Sequence, residues 1–212
     1  MLRLDNDSQH LRLTIYLVVD RVEFMDTKAT VREQVLNHAI TLMMLRGFNG
    51  FSYKDLSQLV GVKTSSIHYY FPAKDDLVLE AVGQYSKEVL AAVYAIDTTL
   101  PAKGQLRKYT ALFGRTLGDG DQICLCGMLA ADIASLPLVV RVAIQAFFEA
   151  NERWLAQLLV RGAADGTLAA PGKPEASAKT LYAAYQGSLL ASRLFQTKSR
   201  LSDVEATWLA IR

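Results

Sequence analysis

The sequence predicts an all-α protein with a small N-terminal three-helix head followed by a larger helical bundle. Three observations point there. Apolar residues recur at helical spacing almost without interruption from Val31 onward. No segment after Met25 alternates convincingly as a strand does, and no repeat or low-complexity run is present. Two short helical patterns flank a single glycine, Gly61, in the arrangement of a helix-turn-helix.

The 212 residues suffice for one sizeable core or for a small domain joined to a larger one. With 51% apolar and 21% charged residues the composition is that of a folded globular chain. The net charge of +2 is too small for a protein-wide attraction to nucleic acid, so any basic footprint must be local. Cys124 and Cys126, the two cysteines, are separated by one residue. That spacing makes a poor disulfide and supplies too few thiolates for a zinc site. It suits a reducing, cytoplasmic setting, in which each thiol is either a small buried hydrophobe or a reactive group.

Residues 1–24 stand apart. The apolar run Ile15–Val19 is far short of the ~20 residues that span a bilayer, and no cleavage signal follows it. The segment is expected to be a disordered extension or the product of a start assigned too far upstream. The alternative is an arm that packs on the head or touches DNA. No membrane association is expected.

Residues 25–74 form the predicted head. Its first helix has Asp26 or Thr27 as N-cap, an apolar stripe through Val31, Val35, Leu36, Ala39, Leu42 and Met43, and Gly47 as its C-terminal stop. In "SYKDLSQLV" Ser52 caps a short second helix and Asp55, three residues on, completes a capping box. Leu56, Leu59 and Val60 face the core. Ser57 allows a close crossing, Gly61 accepts a left-handed turn, and Val62 and Ile67 pin the third helix, Thr64–Tyr70, to the second. Phe71 turns inward, and Pro72 ends the helix because the residue before proline is driven out of helical geometry.

With Ile67 and Phe71 inward, Thr64, Ser65, Ser66, His68, Tyr69 and Tyr70 are left to project elsewhere. Hydroxyls and a ring nitrogen suit base edges and phosphates in a major groove. No acidic residue occurs from Leu56 to Lys74, where a carboxylate would repel a phosphate backbone. Between Met25 and Lys74 six basic residues face three acidic ones, and Lys63 and Lys74 flank the third helix.

On these residues, "YKDLSQLVGVKTSSIHYYFPAKDDLVLEAV", the chain strongly resembles the DNA-binding head of the TetR family of transcriptional repressors over roughly residues 27–85. The resemblance implies an all-helical fold with a ligand-binding and dimerisation body over residues 75–212, acting on a palindromic DNA operator as a homodimer. It implies that Thr64, Ser65 and Ser66 approach bases. His68, Tyr69, Tyr70 and Lys74 then hold chiefly phosphates, with Ser52, Tyr53 and Lys54 on the backbone from the second helix. Lys63 belongs with the same DNA-facing set. His68 departs from the family's usual Tyr, which implies a weaker or pH-dependent phosphate contact.

In the body, "KDDLVLEAVGQYSKEVLAAVYAI" begins a long helix whose Asp75 and Asp76 suit a helix N-terminus. Helices follow in "QLRKYTALFGRTL" and "CLCGMLAADIASL", in a long segment whose first turn is expected at Pro137, and in two C-terminal segments. Small residues Ala183, Ala184, Gly187, Ser188 and Ala191 in the penultimate helix, together with "VEATWLAI", suit half of a four-helix dimer interface, or else internal packing. Between Tyr85 and Leu159 the helices could enclose an apolar pocket, with Phe113, Met128, Phe147, Phe148 and Trp154 as wall candidates. Arg115, Asp132, Gln145, Glu149, Asn151 and Arg153 supply the polar anchors.

"CLCGMLAAD" resembles the matching stretch of TetR-type repressors that sense electrophiles such as maleimides and reactive aldehydes, where a cysteine followed by Leu precedes an acidic residue by eight positions. Cys124, Leu125 and Asp132 fit that pattern. If Cys124 opens a helix, the dipole would favour its thiolate, and Cys126 would serve as resolving partner; alternatively both are buried hydrophobes. No catalytic triad, metal-ligand spacing or phosphate loop is visible, so no cofactor or metal is expected. The rival functions are a thiol-dependent enzyme acting on electrophiles and a ligand-independent DNA-binding protein.

Overall fold

The computed structural model describes residues 29–118 and 122–211. Among them are nine α-helices and no strand: α1 Val31–Arg46, α2 Tyr53–Val60, α3 Thr64–Tyr70, α4 Lys74–Tyr94, α5 Ala102–Leu117, α6 Leu125–Ala131, α7 Leu138–Asp165, α8 Pro174–Phe195 and α9 Ser199–Ala210. A single 3-10 turn, Ile133–Ser135, lies between α6 and α7. Residues 1–24, the expected extension, and the N-cap candidates Asp26 and Thr27 lie outside the described residues.

Helix α1 opens at Val31, so the cap expectation is corrected to Thr30. There the Thr30 side chain accepts the Glu33 N–H at 3.3 Å while the Glu33 carboxylate accepts the Thr30 N–H at 2.7 Å. This reciprocal pair satisfies two orphan donors of the first turn. The same device opens α2, with Ser52 and Asp55 in the two roles. Gly61, at φ 74° and ψ 28°, is left-handed as expected, and both its N–H and that of Val62 reach back to the Ser57 carbonyl. Ile67 and Phe71 are buried, and α3 stops one residue before Phe71. Leu59 is 52% exposed, which corrects its core assignment. The inward face of the short α2 is supplied by Tyr53 and Leu56, leaving Leu59 on the far side.

The head, α1–α3, sits on the body through α1, which packs on both α4 and α6. In the body, α7 packs between α4 and α8, while α5 lies against α7, α8 and α9. Pro137 stands one residue earlier than expected, at the N-cap of α7, where its extended ψ of 154° leads into the helix rather than forming its first turn. Gly166 ends α7 in a left-handed conformation. No described helix is long and apolar enough to cross a membrane.

Candidate nucleic-acid interface and body pocket

Helix α3 is presented by a fixed turn on one side and a proline stop on the other. Lys63, Ser65, His68, Tyr69 and Tyr70 are exposed; Thr64 and Ser66 are half-buried. Tyr69, 80% exposed, stands edge-on to Tyr70 with ring centroids 5.2 Å apart. From α2, Ser52 and Lys54 are exposed, although the Ser52 hydroxyl is already engaged with Asp55 at 2.6 Å.

Two members of the predicted DNA-contacting set sit elsewhere. Tyr53 is buried: its hydroxyl donates to the Phe71 carbonyl at 2.9 Å and its ring meets His68 edge-on at 4.7 Å. Burial, reinforced by Asp76 and Asp75, pushes this phenol up to about 12. Its place in the apolar face of a helix of only eight residues draws it inward. Lys74 is half-buried, and its ammonium donates to the Phe48 and Phe51 carbonyls at 2.6 and 2.7 Å. The same nitrogen lies 4.7 and 4.1 Å from the centres of the Phe48 and Phe51 rings. Desolvation lowers its pKa, opposed by Asp55 and Asp75. In this structure both residues are engaged within the head, Tyr53 with Phe71 and Lys74 with Phe48 and Phe51.

In the body, a pocket of about 230 Å³ is walled by three helices and the start of α6. Helix α4 contributes Tyr85, Glu88, Val89, Ala92 and Val93; α5 contributes Leu112, Phe113, Arg115 and Thr116; α7 contributes Phe147 and Asn151; and Cys124 completes the wall. Asn151 is fixed on both sides, accepting from the Tyr109 hydroxyl at 2.9 Å and donating to the Phe147 carbonyl at 2.9 Å. Phe113 stacks on Tyr185 of α8 with centroids 5.0 Å apart. Tyr85 is raised well above its ordinary range, first by burial and then by the Cys124 thiol beside it.

Phe113, Phe147 and Cys124 thus line one pocket. The other sensing candidates do not line it. Cys126 is fully buried and faces Ser86 across α4, its sulfur 4.0 Å from the hydroxyl; burial pushes its thiol well up. In this structure both thiols are free and Cys126 lies against Ser86 of α4 rather than in the pocket. Cys124 itself is the N-cap of α6, but that helix has only seven residues and the thiol is buried. Met128 turns toward Arg193, whose guanidinium lies 3.9 Å from its sulfur, and Trp154 stacks on Tyr109 in the core at 5.0 Å. Phe148 packs against Tyr182 with centroids 5.0 Å apart. Sequence reasoning missed Tyr85 and Glu88. The signal was present, since positions 85, 88, 89 and 92 form one stripe of α4. A larger open groove of about 740 Å³ runs between α7 and the start of α8; its lining is mainly charged and takes in two of the expected polar anchors, Glu149 and Arg153, but none of the apolar wall candidates and neither cysteine. Apolar walls and a thiol converge in the smaller pocket, the pattern of a small-molecule site.

A helix-turn-helix head with an acid-free exposed helix, joined to a helical body with its own pocket, defines a DNA-binding regulator. The comparisons make this specific. The family model described as "Bacterial regulatory proteins, tetR family" matches residues 35–81. A solved TetR-family transcriptional regulator from Agrobacterium tumefaciens is 32% identical, superposes with a TM-score of 0.80, and is matched over 84% of this chain and 95% of its own. The HTH-type transcriptional repressor DhaR of Mycobacterium sp. (strain GP1) is 22% identical over 178 residues, which is 83% of this chain and 89% of that one. The transcriptional regulator AcuR of Cereibacter sphaeroides is 26% identical over 154 residues, 70% of each. The chain belongs to the TetR family of bacterial transcriptional regulators.

Proposed function

We propose that this regulator is a repressor that binds a palindromic operator as a homodimer and is released when a small molecule, or an electrophile attacking Cys124, occupies the body pocket. Residues 25–74 form the DNA-binding unit and 75–212 the effector-binding and dimerisation unit. Lys54, Lys63, Thr64, Ser65, Ser66, His68, Tyr69 and Tyr70 form the DNA-facing set, with Ser52 at its edge. The observation that carries the effector reading is the position of Cys124: the body's pocket-lining thiol stands in an apolar chamber with Tyr85, Phe113 and Phe147 around it.

The dimer reading draws on α8. Ala183, Gly187, Leu190 and Leu194 form one outward stripe; Leu190 and Leu194 are 50% and 77% exposed, and a side chain at Gly187 would meet nothing within 4 Å. Such a stripe covers itself when paired across a two-fold axis. A two-fold dimer reads half-sites about 34–36 Å apart or a multiple of that distance. An effector then acts only through its different affinity for the operator-bound and released conformations, and a coupling of ~1–3 kcal/mol suffices for regulation.

The experiment is fluorescence anisotropy with the DNA flanking the gene, with and without N-ethylmaleimide, on the wild type and on Cys124→Ser. Operator binding by both, with release in the wild type alone, is the expected result. Release persisting in Cys124→Ser removes the thiol from the mechanism, and catalytic consumption of the electrophile would favour the enzyme reading.

A further inference from the structure

Helix α6 is held at both ends by different parts of the molecule. Its N-cap, Cys124, lines the pocket. Its C-cap, Asp132, reaches the head, where the carboxylate accepts the Phe48 N–H at 2.7 Å. Eight positions separate the two, so a short rod of about 12 Å joins pocket to head.

The loop that Asp132 grips, Gly47–Phe51, leads directly into the Ser52 cap of the reading motif. Gly47 takes φ 75° and ψ −174°, and a Cβ at this position would run into the Asp132 carboxylate. The Asn49 amide donates to Ser135 of the 3-10 turn at 3.1 Å. From the opposite side, Lys74 holds the Phe48 and Phe51 carbonyls. The loop is thus clamped between the end of α6 and the beginning of α4.

We propose that Asp132 is the positioning residue that couples occupancy of the Cys124 pocket to the reading head, acting through the Phe48 amide by a route that does not run along α4. The proposal rests on the reading of that pocket as the effector site. Leu125, Cys126 and Leu129 of α6 are fully buried. An adduct on the buried Cys124 sulfur is tethered at the pocket wall and must fit against Tyr85 and Phe147; the close-packed far side of α6 leaves no slack, so any misfit is relieved by a shift of the rod. At the far end, a carboxylate-to-amide hydrogen bond is among the stronger polar contacts available, and it weakens steeply once geometry is lost. Displacement of about an ångström therefore frees Phe48 and unclamps one side of the loop that carries α2.

The test uses the full chain, with N-ethylmaleimide as the probe and adducts located by peptide mass spectrometry. Hydrogen–deuterium exchange at the Phe48 amide is read beside operator affinity. A Cys124 adduct should speed Phe48 exchange about tenfold or more. Asp132→Ala should show fast exchange before any adduct and lose most of the adduct-induced release, while Asp132→Asn, which keeps an acceptor oxygen, should fall between. A complete adduct that releases operator yet leaves Phe48 exchange unchanged would overturn the coupling, as would full release from a folded Asp132→Ala. Should Cys124 fail to react, the electrophile reading falls, and Cys124→Phe supplies the bulk instead. Unaltered Phe48 exchange in that variant also overturns the proposal.

Discussion

The Tyr53 hydroxyl donates to the Phe71 carbonyl at 2.9 Å, tying the first residue of α2 to the residue that follows α3. Tyr53→Phe keeps the ring and removes the bond, leaving a carbonyl short of its partner at a cost of about 1–3 kcal/mol. Thermal unfolding should report that loss. The salt dependence of operator binding should stay as in the wild type, because no phosphate contact has gone; a shallower salt slope would return Tyr53 to the DNA-contacting set.

Lys63 and Ser65 separate two kinds of contact. Lys63→Ala should weaken binding to all duplexes alike and reduce the magnitude of the log–log salt slope by about 1. Ser65→Ala should change the ranking of operator variants with little effect on the slope. Competition titrations across a set of half-site substitutions at several salt concentrations decide both.

Gly61→Ala isolates the cost of backbone conformation. A Cβ there meets nothing within 4 Å, so no clash contributes, and the left-handed φ of 74° is the whole burden. A loss of about 1 kcal/mol in denaturant unfolding is expected, with Gly61→Asn milder. A loss several times larger would mean that the turn is crowded.

The Asp55 carboxyl is held below its ordinary 3.8, first by the Ser52 hydroxyl and then by the Ser52 N–H. A depressed folded-state value means that the capping box contributes fully above about 3.9, the unfolded value, and loses its contribution as pH falls through the lower folded value. Asp55→Asn should therefore narrow its stability difference from the wild type as acid is added. Melting curves between pH 7 and pH 2.5 would show a constant gap if the box were irrelevant.

Leu190→Glu places a charge in the outward stripe of α8. Sedimentation should show a folded monomer with far weaker operator binding, since one head alone reads half a site. A dimer of unchanged affinity would move the two-fold contact to another face.

The head was nearly all legible in the sequence because its signals are local. Ser52 with Asp55, Gly61, and Phe71 before Pro72 each act within a few residues. What escaped was set by side-chain direction. The family resemblance assigns Tyr53 and Lys74 to the DNA backbone, but the short α2 uses Tyr53 as core and the aromatic loop takes the Lys74 ammonium. In the body, the apolar run of helices pointed to Phe113 and Phe147, and the resemblance of "CLCGMLAAD" pointed to Cys124. Neither signal tells which face of α6 Cys126 occupies, nor that Met128 turns to Arg193, since those depend on partners forty or more residues away.

The aromatic stack behind the pocket has a consequence for what the cell can report through this protein. A chamber of about 230 Å³ lies below the range of roughly 300–1,000 Å³ that accommodates drug-sized compounds. Phe113 backs onto Tyr185, and Asn151 is tied to Tyr109, so neither wall retreats without dismantling its neighbour. On the proposed reading of this chamber as the effector site, its size favours compounds of a few carbon atoms over multi-ring ones.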